Sequence, residues 1–148
     1  MTKAASARVA PFPTPVPVSS VETADSSHFV VKDGLRYAGS HLLIDIWEAS
    51  RLDDLQHVEE TMREAVMEVG ATLLRIDLHH FTENGGISGV AVLAESHMSI
   101  HTWPECGYAA LDVFVCGDCD PYKAVPVLRR AFSPSNVQVA EHKRGLVA

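Results

Sequence analysis

Between Glu95 and Cys106 the chain reads Glu95-Ser96-His97-Met98-Ser99-Ile100-His101-Thr102-Trp103-Pro104-Glu105-Cys106. Carboxylates, hydroxyls, imidazoles, an indole and a thiol crowd in directly after the apolar run Ile87 to Ala94. A strand that only fills a core has no use for so many reactive groups. A hydrolase-type serine nucleophile sits in a Gly-x-Ser-x-Gly elbow, and Ala94-Glu95-Ser96-His97-Met98 lacks both glycines. His101 follows Ser96 by five residues with no acidic orienter nearby, so a serine–histidine–aspartate triad is poorly supported.

A different chemistry suits these residues better. The Ser96 hydroxyl can attack the carbonyl of Glu95, turning the amide into an ester by an N-to-O acyl shift. β-Elimination then cuts the chain and leaves dehydroalanine, which hydrolyses to ammonia and an N-terminal pyruvoyl group. That sequence of steps needs a strained turn, a polar group to hold the oxyoxazolidine, and a base for the serine α-proton. Ser88 is a candidate for the polar group and His101 for the base.

The elements that must position these groups follow from hydropathy. His41 to Trp47 reads as a strand, and Ser50 with Asp53 suggests a capping box opening a helix. Leu55, Val58, Met62, Ala65, Val66 and Val69 keep helical spacing up to a stop at Gly70. Ala71 to Phe81 alternates as a second strand, the turn-forming Thr82-Glu83-Asn84-Gly85-Gly86 follows, and Ile87 to Glu95 is a third strand. Tyr108 to Val115 alternates as a fourth. Pro121 opens a second helix carrying Ala124, Val125, Val127, Leu128, Ala131 and Phe132, and Val137 to His142 is a last strand. This order predicts an α+β fold: a two-layer α/β sandwich, an antiparallel sheet with two helices on one face.

Residues 1–37 have a different character. Pro11, Pro13, Pro15 and Pro17 alternate with small or apolar residues and serines follow, which predicts a disordered tail ahead of one domain over residues 38–148. At 148 residues with formal net charge −7 the chain suits one domain and shows no basic stripe, so no nucleic-acid partner is expected. No apolar run approaches the ~20 residues of a membrane span, and there is no secretory h-region. Three cysteines argue for reduced thiols in the cytoplasm rather than a disulfide scaffold. Cys116-Gly117-Asp118-Cys119 has zinc-pair spacing but no second pair, so no metal is expected. His79 and His80 are adjacent and point to opposite faces of a strand, which makes a joint metal site improbable. Asp112 reads as a structural hydrogen-bonding residue.

Gly86-Ile87-Ser88-Gly89-Val90, Glu95 through Glu105, and Tyr108-Ala109-Ala110-Leu111-Asp112-Val113-Phe114-Val115-Cys116-Gly117 resemble the prokaryotic S-adenosylmethionine decarboxylase proenzymes, a pyruvoyl-dependent family. The resemblance runs from about Ala38 to Gly145 and leaves out the proline-rich tail. It implies cleavage between Glu95 and Ser96 into a β chain, 1–95, and an α chain, 96–148, with Ser96 becoming the pyruvoyl group that forms a Schiff base with substrate. It implies processing roles for Ser88 and His101 and a proton-donor role for Cys116. Phe81 and His101 would flank adenine, Trp103 and Glu105 would line the site, and Met98 would contribute its backbone. Without the motif, Phe81 and Trp103 read as core aromatics and Cys116 as an inert buried thiol. The implied reaction releases carbon dioxide from S-adenosylmethionine for polyamine (spermidine) synthesis, with no pyridoxal phosphate, in a homodimer whose sites lie at the interface.

Thr82 to Gly86 departs from the shorter, proline-containing loop common in the family and carries Glu83. Decarboxylation of a basic amino acid, arginine or ornithine, is therefore the alternative. A non-catalytic paralogue would show damage at Ser96, Ser88, His101 or Cys116, and all four are in place.

Overall fold

The computed structural model describes residues 29–147. Its elements are strands β1 (Val30–Lys32), β2 (Leu35–Tyr37) and β3 (Gly39–Trp47), helix α1 (Leu55–Val69), strands β4 (Leu73–His80), β5 (Ile87–Leu93), β6 (Ser96–Trp103) and β7 (Tyr108–Val115), helix α2 (Ala124–Phe132) and strand β8 (Asn136–Arg144). Six strands make one antiparallel sheet in the order β4-β5-β6-β7-β3-β8.

Alternation along each strand sorts side chains between two faces. Leu42, Ile44 and Ile46, Ala91 and Leu93, Met98 and Ile100, and Leu111, Val113 and Val115 face one way and are buried. They meet Val58, Met62, Val66 and Val69 of α1 and Val127, Leu128 and Phe132 of α2 in one hydrophobic cluster. Fully burying a side chain such as Phe132 stabilises enough that truncation to alanine costs about 3–5 kcal/mol. No helix covers the other face among the described residues; it carries His41, Asp45, Ser99, His101, Trp103 and Asp112. The expected two-layer α+β sandwich with both helices on one face is what the chain forms.

Boundaries differ from expectation in three places. Residues 30–37, assigned by composition to the tail, instead form the β1–β2 hairpin, because Asp33-Gly34 takes the positive φ of a tight two-residue turn and Val30 pairs with the buried Tyr37; residues 1–28 lie outside the described range. Helix α1 is capped by Asp54, whose carboxylate accepts from the His57 N–H at 3.0 Å. Ser50 is not available as a cap: its hydroxyl donates to the Phe132 carbonyl at the end of α2. The third difference is the largest. Ser96–Trp103 is a full central strand, although no turn signal announces its alternation of polar and apolar residues beyond Glu95.

Candidate active site

Leu93 and Ser96 pair directly, so β5 and β6 are joined by a two-residue turn, Ala94-Glu95. Such turns match the twist of their strands when the turn residues adopt positive φ. The β1–β2 turn does so, with Asp33 at +52° and Gly34 at +76°. In the β5–β6 turn neither Ala94 nor Glu95 does; Ser96 takes φ +151° instead. A non-glycine residue held there stores about 1–3 kcal/mol. The strain therefore sits on the residue whose amide joins it to Glu95.

The carbonyl of that amide is also held. Ser96 pairs with Val115 on β7, which brings Cys116 alongside. The Cys116 N–H donates to the Glu95 oxygen at 3.3 Å, and its thiol donates to the same oxygen at 3.2 Å. Two donors on one carbonyl polarise it and stabilise negative charge once its carbon becomes tetrahedral. A serine hydroxyl on the next residue, able to close a five-membered ring onto the carbonyl carbon, a strained backbone and a two-donor cradle fit the formation of a pyruvoyl group at position 96. The Glu95 side chain points elsewhere, to Thr72, accepting from its N–H at 2.8 Å and its hydroxyl at 3.1 Å. The Thr72 N–H is the main reason the Glu95 carboxyl lies below its ordinary range, against a smaller opposing effect of burial.

The other expected residues gather at the far end of β6. Ser88 Oγ and His101 Nδ1 lie 2.9 Å apart across the β5–β6 pair. His101 is five residues from Ser96 on the same strand, which at about 3.3 Å per residue separates them by roughly 17 Å. Within one chain, then, the Ser88–His101 pair does not reach the Glu95–Ser96 bond. A cavity of about 410 Å³ opens beside the pair, lined by Phe81, Glu83, Asn84, Ser88, His101 and Trp103. Phe81 and Trp103 are exposed, not core. The Trp103 ring stacks on Tyr108 at 5.2 Å, and His79 packs edge-on against Phe81 at 4.6 Å. Asn84 organises the loop: its side-chain oxygen accepts from the Gly86 N–H at 2.9 Å, and its amide donates to Glu105 at 3.2 Å. Met98 belongs to neither group. Alternation turns its side chain into the core, fully buried, and its backbone lies between Ala91 and Val113 in mid-sheet.

Asp112, on β7, collects a set of partners that the sequence did not assemble. His41 Nε2 lies 2.6 Å and His97 Nε2 2.9 Å from the same carboxylate oxygen, and the Ser99 hydroxyl donates to the other. Partial burial opposes the charge, but the bonds from Ser99, His41 and His97 outweigh it and hold the carboxyl below its ordinary range. The three ligand-type groups lie within 4.8 Å of one another, yet the Arg144 guanidinium donates to His41 Nδ1 at 3.1 Å. Arginine only donates, so Nδ1 holds a lone pair and a neutral His41 points its Nε2–H at Asp112. Alternation of His97, Ser99 and His101 against Met98, Ile100 and Thr102 was the sequence signal for this cluster. Cys119 donates its thiol to the Gly70 carbonyl at 3.4 Å, and burial raises its pKa; Cys106 is exposed.

Fold and site together define an α+β sandwich enzyme with a strained serine set against a cysteine-polarised carbonyl. The sequence profile of the S-adenosylmethionine decarboxylase family matches residues 40–145, and the chain belongs to that family, whose members are carboxy-lyases. The S-adenosylmethionine decarboxylase proenzyme of Thermomicrobium roseum is 44% identical over 114 residues, 76% of this chain and 98% of its own length. That of Methanococcus vannielii is 46% identical over 116 residues, covering 76% and 94%. The crystal structure of the adenosylmethionine decarboxylase from Aquifex aeolicus superposes with a TM-score of 0.65 at 33% identity, covering 74% of this chain and 92% of that one. Among the described residues no helix is long and apolar enough to cross a membrane.

Proposed function

We propose that the chain is a cytoplasmic proenzyme that cleaves itself between Glu95 and Ser96 and then decarboxylates S-adenosylmethionine, supplying polyamine (spermidine) synthesis. The observation that carries this reading is the junction itself: positive φ at Ser96 and two Cys116 donors on the carbonyl beside it. The Ser96 oxygen adds to the Glu95 carbonyl carbon, and the developing oxyanion meets the Cys116 N–H and S–H. The C–N bond then breaks to give an ester. Loss of the Ser96 α-proton to a base expels the Glu95 carboxylate and leaves dehydroalanine, which hydrolyses to ammonia and a ketone. The products are a β chain, 1–95, and an α chain, 96–148, which stay together in one domain that includes the β1–β2 hairpin.

A pyruvoyl group at position 96 supplies a ketone that captures the substrate amine and accepts the electrons freed as carbon dioxide leaves. Cys116 stands at that position with a thiol proton for the substrate carbon. Phe81 and His101 offer flat faces for adenine, Trp103 adds an apolar wall, and Glu105, steadied by Asn84, suits ribose hydroxyls. Aromatic faces and Glu83 also favour a sulfonium cation.

One chain separates these two sets of groups by roughly 17 Å along β6. A homodimer unites them: a two-fold copy laid on the open sheet face sets one chain's Ser96 and Cys116 against the other's Ser88, His101 and Phe81. Incubation of purified protein followed by intact-mass measurement tests cleavage, with two fragments expected and a single persistent mass ruling it out. Release of labelled carbon dioxide from S-adenosylmethionine, arginine and ornithine tests the substrate. Faster release from either amino acid would transfer the assignment to the basic amino-acid alternative.

A further inference from the structure

Two sets of contacts grip the chain on either side of the Glu95–Ser96 bond. Upstream, Thr72 binds the Glu95 carboxylate through its N–H and hydroxyl, and its carbonyl accepts from the Ala94 N–H at 3.0 Å. Downstream, Asp112 binds His97 and Ser99, the first and third residues after Ser96. Asp112 is itself braced by His41 from β3. Neither grip runs through the bond between them.

A turn joining two freely settling strands would relax by shifting one of them. Here Thr72 fixes one side to the start of β4 and Asp112 fixes the other to the centre of β7. The mismatch left by Ala94-Glu95 therefore has one place to go, and that place is φ of Ser96.

We propose that Asp112, through His97 and Ser99, and Thr72, through the Glu95 side chain, are positioning residues for self-cleavage and catalysis. They keep Ser96 strained and the Glu95 carbonyl on Cys116 before the cut, and keep residue 96 beside Cys116 afterwards. The proposal rests on the cleavage reading above. Glu95→Ala removes the side-chain part of the upstream grip while leaving the Glu95 carbonyl and the Ala94–Thr72 backbone bond in place; Asp112→Ala removes the downstream one. Each slows cleavage of freshly purified full-length chain by about tenfold or more, the equivalent of ~1.4 kcal/mol or more and close to the lower end for hydrogen bonds to charged groups. Glu95→Gln and Asp112→Asn keep an acceptor and recover part of the rate.

In the fraction that has cleaved, Asp112→Ala lowers kcat while KM holds, because Phe81, Trp103 and Glu105 are untouched. A merely structural loss would show as a lower unfolding midpoint without that split. Ser99→Ala, which removes one small donor, shows a several-fold slowing if Asp112→Ala does not fold. Wild-type cleavage rates in Glu95→Ala together with Ser99→Ala or Asp112→Ala would overturn the proposal, as would a rise in KM at unchanged kcat. A wild-type chain that never cleaves overturns this proposal together with the cleavage reading; a cleaving wild type with unaffected variants overturns this proposal alone.

Discussion

The two ends of β6 are built to opposite specifications. At Ser96 the backbone is strained, a carbonyl carries two donors, and side chains on both flanks are tied down. At Trp103 the backbone is ordinary, the aromatics are exposed, and a cavity of about 410 Å³ stands open. One end is suited to breaking and making bonds, the other to recognising a flat, polar molecule. Separating them by one strand length lets strain accumulate at the first without distorting the second. It also puts Ser96 and Cys116 out of reach of Ser88 and His101 along a single β6.

The comparison breaks most sharply at Ser96. Ser96→Ala removes the attacking hydroxyl, and we expect neither fragments by intact mass nor any carbon dioxide release; residual turnover would show that the strained end is not where chemistry occurs. Next in size is the test of separation itself. Mixing Ser96→Ala chains with His101→Ala chains gives dimers in which one site draws an intact strained end from one chain and an intact aromatic end from the other. If subunits pair at random, half the dimers are mixed and each has one such site, so activity recovers to about a quarter of wild type from two nearly inactive parents. No recovery would mean that both ends serve the same chain. Cys116→Ala removes one of two donors from the Glu95 carbonyl, and the cost of losing an oxyanion donor is about 10²–10³ in rate. We expect cleavage slowed by that order, followed by time-resolved mass spectrometry. Trp103→Ala acts at the recognition end alone. An aromatic contact contributes about 0.5–1.5 kcal/mol beyond its area, so KM should rise several-fold with cleavage unchanged; slower cleavage in this variant would erase the distinction between the ends.

The sheet and helices were legible because alternation and helical spacing are periodic signals, and Leu55 to Val69 with its Gly70 stop is a strong one. The chemical residues Ser96 and Cys116 were legible as types in a motif, and the fold brings them into contact. Strand β6 was hidden for a physical reason. Its turn, Ala94-Glu95, has none of the Gly, Asn or Asp residues that announce a two-residue hairpin, because the positive φ was moved onto Ser96. A relaxed turn writes itself into the sequence; this strained one does not. Asp112 read as structural from alternation alone, but its partners His41 and His97 come from strands 71 and 15 residues away, a pairing fixed only by sheet order. The split between Ser88–His101 and Ser96 was likewise invisible, since eight residues of sequence say nothing about which end of a hairpin a group occupies.

The smallest effect concerns the far end of the open face. Tyr108, under the stacked Trp103, donates its hydroxyl to Asp45 at 2.5 Å. That hydrogen bond, aided by burial, pushes the phenol up to about 12. A folded-state value raised above the ordinary ~10 favours the neutral form. The stability it contributes is therefore complete below the ordinary tyrosine range and is lost as pH rises through about 12. An alkaline titration followed by phenolate absorbance should show late ionisation from Tyr108 alongside Tyr122, which burial and its hydrogen bond to Glu141 also raise, and Asp45→Asn should move only the Tyr108 component back toward the ordinary range. Because Asp45 and Tyr108 both lie at the aromatic end, this shift should leave the rate of Glu95–Ser96 cleavage unchanged. A cleavage rate that tracked the Tyr108 titration would couple the two ends of β6 through the sheet and end their independence.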